Sequence, residues 1–312
     1  MAVRARDADT TARMRTMDYL TEAEIRAALT YEALIPAMEA VLAEFSAGLL
    51  VQPVRTSIPV PGGEGVLALM PAIVGDVMGV KVLTYNLANA ARGIAPYFTS
   101  VHLFRTATGE PLAVLDGTAL TEMRTAAVSA VAARALSAPG ARVLAVLGSG
   151  VQARAHIAAL ARVRAIGEIR IWSRTRANAE RLAREVGGGA MDAADAVRGA
   201  EIVVTATGAS EPVLRGTWLA PGACVIAIGG YGRARRELDD DVMRGTLVVD
   251  SRAAALEESG DVIGSGAPIA AELGDVVAGR ASLPAGHHVV FKSNGLAVED
   301  IAAARLVVEA RG

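Results

Sequence analysis

The chain has 312 residues, 52% hydrophobic and 21% charged, which is enough apolar sequence for two cores and too much for a disordered class. A formal net charge of −2 supplies no general cationic field, so neither nucleic acid nor a membrane surface is expected as a partner. Cys224 is the single cysteine, and His102, His156, His287 and His288 lack zinc-ligand spacing, so neither a disulfide nor a metal is expected. The opening segment, Met1 to Leu20, lacks the apolar stretch of a secretory signal, and the chain reads as cytoplasmic.

Taken in order, Thr21-Glu22-Ala23-Glu24 opens a first helix running to Leu29, and an amphipathic helix follows over Glu32 to Leu49. Glycine- and proline-rich turns then separate apolar stretches at Val66–Met70, Gly79–Thr84, Ser100–Phe104 and Leu112–Leu115, which read as strands of a mixed sheet. Thr121 reads as the N-cap of a long alanine-rich helix, Glu122 to Leu136. Beyond it strands and helices alternate: strand Arg142–Leu147, helix Val151–Val163, strand Glu168–Trp172, helix Arg176–Glu185, then strands Glu201–Ala206, Cys224–Ile228 and Leu247–Asp250. That alternation predicts a doubly wound parallel sheet. A last strand, His288–Lys292, precedes a helix over Ala297 to Ala310. The expected division is 1–120 as an α+β domain completed by the C-terminal helix 296–312, and 121–295 as an α/β nucleotide-binding domain.

The turn after the first strand of the second half reads Gly148-Ser149-Gly150-Val151-Gln152-Ala153 and runs straight into a helix. This is the dinucleotide fingerprint G-x-G-x-x-G/A in its strand–turn–helix context, which predicts a Rossmann domain. Gly148 permits the tight turn, Gly150 lets a pyrophosphate approach the backbone, and the helix N-terminus supplies N–H donors. The acidic residue that reads the ribose of NAD stands about 20 residues on, at the carboxyl end of the second strand. Glu168 has that spacing but begins its strand. At the carboxyl end stand Ser173, Arg174 and Thr175, suited to a 2′-phosphate, so NADP(H) is favoured over NAD(H). A solvated arginine loop is the alternative.

Three basic residues stand out in the rest of the chain. Arg124 falls in the first turn of the predicted long helix, where a cation opposes the dipole unless an anion also binds. Arg55 lies at the edge of a predicted element, and for both a surface position is the alternative. Lys81 lies in an apolar strand of a chain whose only other lysine is Lys292. A buried amine can exchange a proton near neutral pH as arginine cannot.

Four segments carry a wider likeness: Arg124-Thr125-Ala126-Ala127-Val128-Ser129-Ala130; the fingerprint; Val249-Asp250-Ser251 with Glu258-Ser259-Gly260-Asp261-Val262; and Phe291-Lys292-Ser293-Asn294-Gly295. In this order they resemble the ornithine cyclodeaminase/mu-crystallin family over nearly the whole chain. The resemblance implies a homodimer whose first domain binds the substrate carboxylate and whose Rossmann domain presents the nicotinamide. By it, Arg55, Lys81 and Arg124 match the positions that grip the carboxylate. Thr125, Gly148, Gly150, Val151, Gln152, Arg174, Thr175, Thr207 and Ser293 match cofactor-contacting positions. Ser173-Arg174-Thr175 looks like the Asn-Arg-Thr of the NADPH-using reductases. Tyr231 stands where the cyclodeaminases carry an aspartate that acts on the substrate amine, which turns the expectation from cyclodeamination to hydride transfer. The implied function is an NAD(P)H-dependent reductase of small cyclic 2-imino acids, such as pyrroline-2-carboxylate or piperideine-2-carboxylate, with Lys81 or Tyr231 as the acid. The alternatives are a cyclodeaminase, an alanine-dehydrogenase-like deaminase, and a crystallin-like protein that binds NADPH and a small ligand without turnover.

Overall fold

The computed structural model describes residues 17–311, leaving out 64, 231 and 285. Of the opening segment, Met1 to Thr16 lie outside the described residues. Strand β1 (Asp18–Leu20) leads into helix α1 (Glu22–Ala28), which starts at a capping box: the Thr21 hydroxyl accepts the Glu24 N–H, and the Glu24 carboxylate takes the Thr21 N–H. Such a cap stabilises a helix by about 1 kcal/mol. Helix α2 (Tyr31–Ser46) buries Leu34, Met38, Val41 and Leu42 at helical spacing.

Strands β2 (Thr56–Pro59), β3 (Gly65–Val74), β4 (Val77–Asn86), β5 (Tyr97–Arg105) and β6 (Pro111–Asp116) form an antiparallel meander, and β1 adds in parallel to β6. β3, β4 and β5 are longer than the apolar stretches that announced them. A sheet packed chiefly on one face needs apolar residues only at alternate positions, so the strand outruns its apolar segment.

Helix α3 (Gly117–Leu136) follows β6 without a loop and is capped by Asp116, whose carboxylate accepts the Thr118 N–H. This corrects the expected cap at Thr121. Gly117 packs so closely on Thr99 that a Cβ there would meet it at 2.5 Å, and that fit lets the chain turn from strand into helix early. Arg124 therefore sits about two turns inside the helix, away from the N-terminal dipole, and is buried.

The second half alternates as expected: β7 (Val143–Leu147), α4 (Val151–Leu160), β8 (Glu168–Trp172), α5 (Arg176–Val186), β9 (Gly189–Ala190), α6 (Ala193–Val197), β10 (Ile202–Thr205) and β11 (Cys224–Ala227). It continues with α7 (Asp240–Met243), β12 (Thr246–Val249), α8 (Arg252–Glu258), α9 (Gly260–Ser265), β13 (Ile269–Glu272), α10 (Leu273–Val277), β14 (Val289–Lys292) and α11 (Ala297–Glu309). The sheet order is β13-β12-β14-β11-β10-β7-β8-β9, with every pair parallel. Its strands are nearly all apolar, as burial on both faces requires. The order reverses at β7, so the crevice between the ends of β7 and β10 is a topological switch point, where open α/β sheets bind ligands. α11 returns to the first sheet and packs on β3 and β4, so closely that a Cβ on Gly79 would stand 2.6 Å from the Ile301 side chain. No helix among the described residues is long and apolar enough to cross a membrane.

Candidate active site

At the switch point the fingerprint residues Gly148, Ser149 and Gly150 line a cleft of about 340 Å³ with Ser173, Arg174 and Thr175. Gly148 has φ +138°, and a Cβ on it would lie 2.4 Å from the Ala206 carbonyl oxygen, so only glycine closes this turn. The Ser149 hydroxyl donates to the Ser173 hydroxyl at 2.8 Å, tying the β7 loop to the β8 loop. Gly150 is the N-cap of α4 and offers no side chain, so the first N–H groups of that helix have no side-chain cap. Gln152, in the first turn of α4, has a buried Oε1 without a hydrogen-bond partner, and Val151 is half exposed; neither lines the cleft. Glu168 begins β8 and is bound to Arg170, at the end of the strand remote from the cleft. Arg174 is exposed, and among the described residues it has no carboxylate within ion-pair distance.

A second cavity, of about 250 Å³, brings Arg55, Lys81 and Arg124 together. Thr207 and Gly208 line it and the cleft alike, so the two spaces adjoin. Each of the three cations is paired with an acid, Lys81 and Arg124 sharing Asp300. Lys81 Nζ donates to both oxygens of Asp300, at 3.0 and 3.1 Å. Arg124 donates from Nε to Asp300 at 2.8 Å and from Nη1 to Glu299 at 2.6 Å. Arg55 pairs with Glu258 at 2.9 Å and donates to the Asn294 and Gly295 carbonyls. Lys81, Arg124, Asp300 and Glu299 are all buried. Burial alone would pull the Arg124 guanidinium towards neutrality, but Asp300 and Glu299 outweigh it and hold the charge in place. Burial pushes Glu299 up to about 7 against the pull of Arg124, and raises Glu258 against the pull of Arg55. Gly295, at φ +78°, lies where a Cβ would press at 2.9 Å on Arg124 Nη1. The Asn294 amide and the Thr121 hydroxyl, both on the cavity wall, have buried polar atoms without partners.

The shared wall is fixed from behind by a network that sequence reasoning missed. Glu237 accepts from the Thr207 N–H and hydroxyl through one oxygen, and from the Thr205 hydroxyl and Gly229 N–H through the other. Lys292 Nζ donates to the Gly229 carbonyl and lies 3.5 Å from Asp261, which accepts the Glu237 and Leu238 N–H groups. Lys292, Asp261 and Glu237 are all fully buried. The scarcity of lysine was a signal for Lys292; a run such as Arg235-Arg236-Glu237-Leu238-Asp239 gives none for Glu237. Asp250 does similar work for the loop after β14, accepting from the Ser293 hydroxyl and the Asn294 and Gly295 N–H groups.

Of the expected cofactor contacts, Gly148, Gly150, Ser173, Arg174, Thr175 and Thr207 line the cleft. Ser293 is buried with its hydroxyl on Asp250, and the Thr125 hydroxyl donates to Thr121 of its own helix; neither lines the cleft or the cavity. Tyr231 lies outside the described residues. The signal for Asp300 and Glu299 was adjacent acids between Val298 and Ile301, which sequence alone equally assigns to a helix N-terminus. Among the described residues no cluster of histidine, cysteine or acidic side chains is arranged to hold a metal. His156 is a core residue, pushed down to about 4 by burial and bridging the Gln152 carbonyl and the Ser129 hydroxyl.

Known proteins resemble the chain over nearly its whole length. The chain is 43% identical over 285 residues to the ketimine reductase mu-crystallin of Mus musculus, covering 88% of this chain and 91% of the relative. It is 33% identical to a Delta(1)-pyrroline-2-carboxylate reductase of Bacillus cereus, over 86% of this chain and 88% of that protein. In structure it matches the Thermococcus litoralis Delta(1)-pyrroline-2-carboxylate reductase, solved with NADH and L-proline, with a TM-score of 0.89 and 32% identity; the match covers 94% of this chain and 97% of that one. The family model for ornithine cyclodeaminase/mu-crystallin matches residues 15–311, and the chain belongs to that family.

Proposed function

We propose that the protein is an NAD(P)H-dependent reductase of small cyclic 2-imino acids. The observation that carries this reading is the wall of Thr207 and Gly208, shared between a dinucleotide cleft and a cavity holding three cations. The likeness to reductases of ketimines and of pyrroline-2-carboxylate supports it. The cleft suits a nicotinamide dinucleotide: Gly148 and Gly150 leave room for a pyrophosphate, and the N-terminus of α4 has no side-chain cap. NADP(H) is the favoured form, because Arg174 stands unpaired among the described residues beside Ser173 and Thr175, while Glu168 is remote. When bound, the nicotinamide supplies the hydride.

The chain's own residues do the rest. Arg55, Lys81 and Arg124 hold the substrate carboxylate, and Asn294 and Thr121 offer it unsatisfied polar atoms. Positioning of this kind supplies much of the rate. A protonated imine accepts hydride far better than a neutral one, so a proton must be held at the ring nitrogen; Lys81 and Tyr231 are the proposed donors. Residues 1–120 with 296–312 are the proposed substrate and dimerisation unit, and 121–295 the nucleotide unit. The dimer is proposed to form through a second copy on the outer face of the first sheet, where Ile58, Ile73 and Phe98 are exposed beside an apolar groove that includes Met78 and Phe104. Light scattering measures that state. The function is tested by following loss of nicotinamide absorbance with pyrroline-2-carboxylate and piperideine-2-carboxylate under NADPH and NADH. Oxidation with either ring supports the reading. Ammonia release from ornithine with only catalytic nucleotide would replace it with cyclodeamination.

A further inference from the structure

The cavity has a second cationic end. Lys81, Leu83 and Tyr85 of β4 line it at the two-residue period of a strand, which separates the Lys81 and Tyr85 backbones by about 13 Å. At the Lys81 end every cation is matched: Lys81 by Asp300, Arg124 by Asp300 and Glu299, Arg55 by Glu258. At the Tyr85 end stands Arg235, on the loop after β11. Its guanidinium donates to the Gly208 carbonyl, and its charge acts on the Tyr85 hydroxyl, which burial otherwise pushes upward. Among the described residues no carboxylate lies within ion-pair distance of Arg235. A guanidinium has five N–H donors, and this half-buried one spends its given bond on a single carbonyl. The cavity therefore holds an acid for each cation at one end and an unmatched cation at the other.

Resting on the reductase reading above, we propose that Arg235 binds a second anionic group of the substrate, so that the preferred substrates are cyclic 2-imino acids carrying a distal carboxylate. The carboxylate carbons of a six-membered ring substituted on both sides of the nitrogen stand roughly 5 Å apart by ordinary bond lengths, and their outer oxygens roughly 7 Å. A monocarboxylate would leave the Arg235 charge facing apolar ring atoms and the Leu83 side chain. A dicarboxylate gives it a charge-assisted, bidentate partner.

The test compares piperideine-2-carboxylate with piperideine-2,6-dicarboxylate under NADPH, in the unmodified protein and in Arg235→Gln and Arg235→Lys. The expected result is a preference for the diacid in kcat/KM of about tenfold or more, lost in Arg235→Gln through the KM of the diacid and partly restored in Arg235→Lys. A ratio of diacid to monoacid that is the same in all three proteins overturns the proposal. So does a variant whose only change is weaker NADPH binding, since Arg235 would then serve the cofactor. Titration of the NADP-loaded protein with pyridine-2-carboxylate and pyridine-2,6-dicarboxylate makes the same comparison without turnover. A protein that reduces neither imine yet binds the diacid through Arg235 loses the reductase reading and keeps this one.

Discussion

The nucleotide cleft and the substrate cavity share the wall of Thr207 and Gly208, yet they hold charge in opposite ways. The cleft relies on backbone N–H groups at the start of α4 and on one exposed side-chain cation, Arg174. The Lys81 end of the cavity relies on Lys81, Arg124 and Arg55, held by acids that come from elsewhere in the chain: Asp300 and Glu299 on α11, Glu258 on α8. In the cleft a cation can be removed with only the loss of its ligand contact. At that end of the cavity, removing one strands a carboxylate in the core, so binding and stability are coupled there.

The sharpest break in that contrast is Arg124→Ala. It leaves Glu299 and part of Asp300 uncompensated in the interior, and breaking a buried pair costs about 3–5 kcal/mol. Urea unfolding should show that loss together with a large rise in KM for the carboxylate substrate. An unchanged midpoint would mean that the pair is not coupled to the core. The double variant Arg124→Met with Glu299→Gln should recover much of the stability and none of the substrate binding.

Lys81→Arg keeps the charge beside Asp300 and replaces an amine, which can hand on a proton, with a guanidinium, which cannot. If Lys81 supplies the imine proton, turnover should fall by about 10²–10⁴-fold while carboxylate ligands still bind. Turnover that survives at saturating substrate, with the damage confined to KM, would reduce Lys81 to a carboxylate clamp and leave Tyr231 to be tested as Tyr231→Phe.

The same contrast governs what the sequence could reveal. The phosphate-binding turn of the cleft is built from contiguous residues, β7 and the turn into α4, so glycine spacing announced it, and its cation was found at the carboxyl end of the next strand. Lys81 was conspicuous because lysine is scarce, but its partner lies 219 residues away. No spacing rule connects positions that meet only when α11 folds back onto β4. Arg124 was noticed for the wrong reason: a helix start was assigned at Thr121, whereas Gly117, packed on Thr99, starts the helix at the end of β6. The parallel sheet was legible from its apolar strands. The small strand β1, pairing in parallel with β6, was not, because three residues carry no period.

In the cleft, Arg174→Ala should weaken NADPH by roughly 1–3 kcal/mol, the range for a charge-assisted bond to a phosphate, and leave NADH nearly untouched. Because Arg174 is exposed and bears no ion pair among the described residues, the unfolding midpoint should stay put, the reverse of Arg124→Ala. Nucleotide fluorescence titration measures both affinities. Equal losses for the two nucleotides would move the 2′-phosphate away from Arg174.

The smallest effect lies in the pH dependence of carboxylate binding. Burial holds Glu299 near 7, so below that pH it is largely neutral and Arg124 is free to pair with an incoming carboxylate. As pH rises through about 7, Glu299 ionises and competes for the same guanidinium, 2.6 Å away. Affinity for a carboxylate ligand should thus be level below that point and weaken above it, by at most about tenfold per pH unit for a single competing proton. Pyrrole-2-carboxylate is the suitable probe for the NADP-loaded protein, because it carries the carboxylate without an imine that titrates in the same range. In Glu299→Gln the Arg124 partner is neutral at every pH, and the inflection should vanish while binding stays at its low-pH level. An inflection that persists in the variant would assign the proton to Glu258, which burial also raises beside Arg55.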